Sequence, residues 1–248
     1  MADPNLAIKA STPNKNNTTQ GFSPFPGQHT LNSTGLSSAS GTKSHSDRVC
    51  LLFGSSITTR VDDRRLKRGS RVVINLSESG AKISDIHKFA NEFCADHSGI
   101  INQVDKIVIN IGTNDVKWFN GIRSSVFRKF RAPLCNIVRD LKFKFPLANI
   151  TFMSMLPIRA LYNYTAKTVN DFNTLLLEIC RTFGCVFFDC FSDFLAPDLR
   201  DYDETLFRDK WHPNETGLRL LCRAIKCIIF GHSFSPHMGT FWHRPFYM

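Results

Sequence analysis

The apolar residues of this chain gather in five short runs, with helical stripes between them. The runs are Val49 to Phe53, Arg71 to Leu76, Lys106 to Ile111, Asn149 to Met155 and Cys185 to Asp189. Each is short and rich in β-branched or aromatic residues, and Gly, Ser or Pro punctuates the first four. Such runs read as strands buried on both faces. Between them, apolar positions 83, 86, 89, 90 and 93 predict a helix from Ile83 to Cys94, with Ser84 as a candidate cap. Positions 169, 172, 175, 176 and 179 predict another from Thr168 to Phe183, closed by Gly184 as a C-cap. A first helix is expected to start near Ile57 and to end in the basic run Arg64 to Gly69. A long basic helix is expected from Ile122 to Phe145, broken or bent near Pro133. A last helix is expected from Leu218 to Phe230.

Strand and helix alternate five times. That order predicts a three-layer α/β/α sandwich around a five-stranded parallel sheet, with right-handed crossovers setting helices on both faces. In a parallel sheet the turns that follow the strands share one edge, and ligands bind at that edge. The turns are polar: Gly54-Ser55-Ser56, Ser77-Glu78-Ser79-Gly80 and Gly112-Thr113-Asn114-Asp115. A fourth polar segment, Asp209-Lys210-Trp211-His212, stands before the last helix. Residues 48–230 form the predicted domain. Residues 1–47 are rich in Ser, Thr, Asn, Gly and Pro and are expected to be disordered, because they bury too little apolar surface to offset ordering entropy. Residues 231–248 are an aromatic, His- and Pro-rich tail with no clear period.

Composition adds a few bounds. The chain has 248 residues, is 42% hydrophobic and contains 22 Phe, enough for a core of ordinary size. No apolar run is long enough for a transmembrane helix. The start of the sequence lacks the apolar region of a secretory signal, which points to an intracellular, cytoplasmic location, and the sequon at Asn163 is then expected to stay unmodified. None of the eight cysteines forms a CxxC pair, so buried free thiols are expected rather than a zinc site. The formal net charge is +10. Arg60, Arg64, Arg65, Lys67, Arg68 and Arg71 form one basic cluster; Arg128-Lys129-Phe130-Arg131 is a candidate phosphate patch. Nucleic acid or an anionic membrane surface are the partners such charge would suit.

The four polar segments, in their order, resemble the four blocks of the SGNH (GDSL-type) hydrolase superfamily, whose named residues are Ser, Gly, Asn and His. The resemblance covers about residues 48–230. Gly112-Thr113-Asn114-Asp115 after an apolar strand and Asp209-Lys210-Trp211-His212 before a final helix carry most of it. His212-Pro213-Asn214 and Met155-Leu156-Pro157 also resemble the esterase domains of LINE-type retrotransposon proteins. The family has a flavodoxin-like fold and hydrolyses acyl esters, with no cofactor and no metal. The resemblance implies that Ser56 is the nucleophile, His212 the base and Asp209 the partner of the imidazole. It implies an oxyanion hole made by the backbone N–H groups of Ser56 and Gly80 and the side-chain amide of Asn114. One such donor is typically worth about 3–4 kcal/mol in the transition state.

Each of these residues alone has an ordinary structural use. Ser56 is a fair helix cap, Gly80 a turn glycine, and Asn114 and Asp115 plain turn residues. Their shared order and their placement at strand ends single them out. One block departs from the family: it normally reads Gly-Asp-Ser, and here Ser55 stands where the Asp belongs. Ser55 is smaller and neutral, and a displacement of the nucleophile by about 1 Å costs about 100-fold in rate. Two functional classes therefore follow from the sequence. One is a serine ester hydrolase: a carboxylesterase, acetylesterase or lipase-like enzyme acting on an acyl-ester substrate. The other is a weakly active or inactive domain of the same fold that binds nucleic acid or anionic lipid through its basic face.

Overall fold

Strand β1 (Val49–Gly54) lies between β2 (Val72–Asn75) and β3 (Val104–Asn110), and β4 (Asn149–Met153) and β5 (Val186–Phe188) extend the sheet beyond β3. The order is β2-β1-β3-β4-β5 and every pairing is parallel. The computed structural model describes residues 48–66, 69–117, 119, 123–158, 164–196 and 202–231. The N-terminal segment 1–47, residues 232–248 of the tail, Lys67, Arg68 and the Asn163 sequon fall outside these residues.

Alternation along the strands builds two cores. On β1, Leu51 and Phe53 join one cluster while Cys50 and Leu52 join the other. The first cluster packs against α2 (Asp85–Asp96), α4 (Arg123–Lys144) and α5 (Tyr164–Phe183). The second packs against α1 (Asp63–Leu66) and α6 (Glu215–Phe230). Burial on both faces explains why β1 and β3 read as unbroken apolar runs. Among the described residues, no helix is long and apolar enough to cross a membrane.

Several boundaries differ from the sequence expectation, each for a local reason. The helix expected from Ile57 is a set of turns followed by the short α1. Ile57, Thr58, Thr59 and Val61 are β-branched, and the hydroxyls of Thr58 and Thr59 donate back to the carbonyls of Ser55 and Ser56, each at 3.0 Å. Both features favour a turn over a regular helix. Strand β3 starts earlier, at Val104, because its polar residues have partners. Asp105 pairs with Arg71, and the Lys106 ammonium reaches the carbonyl of Ile228 at 2.6 Å. Ser84 is not a cap: its backbone is helical (φ −59, ψ −29), and it is Asp85 that accepts the N–H of Lys82 at 2.8 Å. Helix α4 runs through Pro133 without a break. Phe130, Leu134, Ile137 and Val138 are buried around it, so packing outweighs the lost hydrogen bond. Asn214 starts α6 three residues earlier than expected, its side chain accepting the N–H groups of Thr216 and Gly217 at 2.9 and 3.1 Å.

All eight cysteines are free, and Cys50, Cys180, Cys190 and Cys222 are buried. Burial pushes the thiols of Cys50, Cys180 and Cys190 up to about 12, which leaves them poor nucleophiles.

Candidate active site

The strand order reverses between β1 and β3, so the crevice at their carboxyl ends is the natural ligand site of this fold. The segments after β1, β2 and β3 all open onto it. The first begins at Gly54, where a Cβ would lie 1.9 Å from the Thr58 hydroxyl and 2.9 Å from the Asn110 carbonyl. That close approach admits no side chain. The carbonyl of Ser55 then accepts the N–H groups of Thr58 and Thr59 at 2.9 and 3.0 Å, which closes the turn and presents Ser56.

Ser56, His212 and Asp209 form one hydrogen-bonded chain. The Ser56 hydroxyl is 3.1 Å from Nε2 of His212. Nδ1 of His212 is 2.9 Å from each Asp209 carboxylate oxygen. An ionised carboxylate only accepts, so Nδ1 carries the proton and Nε2 is left to accept from Ser56. The Asp209 carboxyl is set by its loop. Partial burial works against its charge. The N–H of Trp211, the imidazole and the N–H of His212 outweigh that and hold the group well below the usual carboxylate range. Both backbone bonds measure 2.8 Å. The loop is closed further by the His212 carbonyl, which accepts from the N–H of Arg208 at 2.9 Å. Arg60 ties the two halves of the site together by donating to the Pro213 carbonyl at 2.9 Å.

Gly80 lies in the segment after β2 with φ 85, a conformation that favours glycine, and a Cβ there would meet no protein atom within 4 Å. The space beside it is open. Asn114 lies in the short helix α3 (Thr113–Val116), which Gly112 begins. Gly112 has φ 113, and a Cβ on it would sit 2.5 Å from the ring of Phe172. Glycine is therefore required twice over, by conformation and by packing. The Asn114 amide donates to the Ala81 carbonyl at 3.0 Å, which draws the segments after β2 and β3 together.

Three supporting residues carry no signal in the hydrophobic pattern. Asn75 donates to the carbonyl of Thr58 at 3.0 Å and accepts the N–H of Ser77 at 3.1 Å, joining the first two segments. Arg60 belongs to the basic cluster, and its partner Pro213 is distant in sequence. Asp115 accepts the N–H of Ile83 at 3.1 Å. An Asn at a strand end is a fair hint of the first; the other two need the fold.

Ser55 is 1% exposed, and its hydroxyl has no hydrogen-bond partner among the described residues. A buried hydroxyl without a partner costs stability. Ser55→Ala is therefore expected to leave the midpoint of thermal unfolding unchanged or raise it, by up to about 1 kcal/mol in stability. A clear loss in a calorimetric melt would show that the hydroxyl is bonded in solution.

The basic residues singled out for an anionic partner are largely engaged. Arg64 pairs with Asp62 at 3.1 Å and Arg65 with Glu215 at 3.0 Å. Arg71 pairs with Asp105, and Arg131 with Glu178. Phe130 is buried, and the Lys129 ammonium lies 4.8 Å from the centre of the Phe119 ring. The segment Arg128 to Arg131 thus presents no free aromatic platform for a base.

Comparison with known proteins agrees with this architecture. Among curated proteins, none matches the chain. Solved structures of the same fold do. A Streptococcus pneumonia protein provisionally described as a platelet activating factor superposes with a TM-score of 0.61 at 22% identity, over 75% of this chain and 86% of that one. A lipase/acylhydrolase from Enterococcus faecalis gives 0.57 at 20% identity, over 74% and 96%. A variant of an acetyl xylan esterase from Geobacillus stearothermophilus gives 0.57 at 20% identity, over 76% and 97%. The family model for GDSL-like lipases and acylhydrolases matches residues 50–220, which holds every segment described above. The chain belongs to the GDSL-like lipase/acylhydrolase family.

Proposed function

We propose that the domain is a serine ester hydrolase in which Ser56 is the nucleophile, His212 the general base and Asp209 the group that orients and stabilises the imidazole. The observation that carries the reading is the unbroken chain from the Ser56 hydroxyl through His212 to Asp209, at 3.1 and 2.9 Å. A Ser hydroxyl is a weak nucleophile until a base takes its proton. Here Nε2 is within reach of that proton, and the carboxylate faces the opposite ring nitrogen. Ser56 Oγ attacks the acyl carbonyl carbon while its proton passes to Nε2. The carbonyl π pair moves to oxygen, and the N–H groups of Ser56 and Gly80 with the Asn114 amide receive that charge. The tetrahedral intermediate collapses, and the alcohol leaves with the proton from Nε2. Water, deprotonated by His212, then cleaves the acyl-serine and restores the enzyme. Asp209 stays ionised throughout, because its hydrogen bonds hold its carboxyl well below the usual carboxylate range.

Names among the structural relatives include acetyl xylan esterase and lipase/acylhydrolase, which places acetyl and longer acyl esters in the range to assay. Within the family, His212-Pro213-Asn214 and Met155-Leu156-Pro157 support a place beside the esterase domains of LINE-type retrotransposon proteins. The alternative, a binding domain that has lost activity, draws on the Ser at position 55 and the +10 charge. The ion pairs of the basic residues weaken it, and the intact Ser56–His212–Asp209 chain favours the enzyme. A fluorophosphonate probe followed by peptide mapping tests the reading. The expected label is on Ser56. A label elsewhere, or no label on a protein that hydrolyses p-nitrophenyl esters, overturns it.

A further inference from the structure

Asp115 sits beside Asn114 but has no part in the chemistry proposed above. Its carboxylate is half-buried, and no cation lies within ion-pair distance of it among the described residues. Among the described residues, its Oδ2 accepts the N–H of Ile83 at 3.1 Å. Burial pushes its pKa up to about 6 against the pull of that bond. The charged groups that face it are Lys82 and Asp85, from the start of α2 and the segment before it, and Lys129 from α4. A turn residue with nothing to hold would not keep a carboxyl in such a place, because burying a charge is costly.

What the bond holds is the short segment that runs from Gly80 to Ile83. Asn114 takes the carbonyl of Ala81 at 3.0 Å and Asp115 takes the N–H of Ile83, so two adjacent side chains of α3 grip the segment from one side. The far end is anchored, since Ala81 and Ile83 are 4% and 2% exposed. The platform is equally fixed: Gly112 lies against Phe172, and Val116 is buried. Gly80, with its positive φ and open surroundings, is the residue left free to swing if the grip loosens.

We propose that Asp115 is a positioning residue: through the N–H of Ile83 its carboxylate, together with the Asn114 amide on Ala81, sets the Gly80 N–H in the oxyanion hole. The inference rests on the esterase reading for the role it gives Gly80. A charged acceptor makes a stronger bond than a neutral one. As pH falls through about 6 the carboxyl takes up a proton, its bond to Ile83 weakens, and the segment loosens.

The test uses the full chain with Asp115→Ala and Asp115→Asn, assayed on p-nitrophenyl acetate across the acidic and neutral range. Amide hydrogen exchange of residues 79–84 is followed by mass spectrometry on the same samples. Asp115→Ala is expected to lower kcat about 10- to 100-fold with little change in KM, since a loosened donor harms the transition state more than binding. Asp115→Asn keeps an acceptor oxygen and is expected to restore most of that loss above neutrality. The ratio of parent to Asp115→Asn activity should fall as pH drops through about 6. Exchange in 79–84 should speed up in Asp115→Ala and much less in Asp115→Asn, whose neutral oxygen still accepts the Ile83 N–H. Equal losses in the two variants, or a ratio flat with pH, overturn the proposal. A parent protein with no ester hydrolysis would sink the esterase reading instead. Exchange would then decide alone, and unchanged exchange in Asp115→Ala would overturn the grip itself.

Discussion

Ser56→Ala is expected to lower kcat for ester hydrolysis by on the order of 10⁴- to 10⁶-fold, the scale of loss when a serine hydrolase loses its nucleophile. Neither hydroxyl beside it in the turn is placed to take over. Ser55 is 1% exposed and cannot reach a substrate carbonyl. Thr59 faces away, its hydroxyl donating to the Ser56 carbonyl at 3.0 Å. The remaining rate would come from substrate positioning and the oxyanion donors alone. Stability should change by no more than about 1 kcal/mol, because the lost bond to His212 is part-buried and a neutral hydrogen bond is worth about that much. Steady-state kinetics with active-site titration, beside a circular-dichroism melt, checks both numbers. A folded Ser56→Ala protein that keeps a tenth of the parental kcat would move the nucleophile elsewhere.

Asn114→Ala is expected to lower kcat by about 100- to 1,000-fold with little change in KM, since an oxyanion donor acts chiefly on the transition state. One N–H of the amide is spent on the Ala81 carbonyl, which leaves the second for the oxyanion. The substitution therefore removes a donor and half of the grip on the Gly80 segment at once, and the larger end of the range is the better expectation. The loss in stability should be about 1 kcal/mol from the Ala81 bond. The same protein separates the two functional classes. If the domain only binds nucleic acid or anionic lipid, Asn114→Ala should leave that affinity untouched. A kcat within about threefold of the parent, in a folded protein, would reduce Asn114 to a turn residue and take it out of the proposed oxyanion hole.

The sheet, its order of elements and its binding edge were legible in the chain because parallel strands buried on both faces leave unbroken apolar runs. The candidate site residues stood out because strand ends concentrate Gly, Ser, Asn and Asp in fixed order. What stayed hidden was pairing. Val104-Asp105 looks too polar to extend the strand until Arg71 supplies a partner from a distant part of the chain. Pro133 looks like a break until the surrounding core holds the helix together. Asp115 looks like a companion of Asn114 until Ile83 is seen beside it. The turns after Gly54 failed as a helix for a reason the sequence did contain, the run of β-branched residues with hydroxyls able to bond backward.

Ser56 and His212 stand 156 residues apart, at the first and last elements of the domain. The sheet between them owes little to the final helix for its pairing, yet His212 arrives only when its loop has docked through Arg60 and α6 through Arg65 and Lys106. A growing chain on the ribosome would thus carry Ser56 without His212 until nearly the whole domain has emerged. On the proposed mechanism, hydrolysis would begin as a single late event, and a product cut short anywhere before Asp209 would be inert however well its strands had paired.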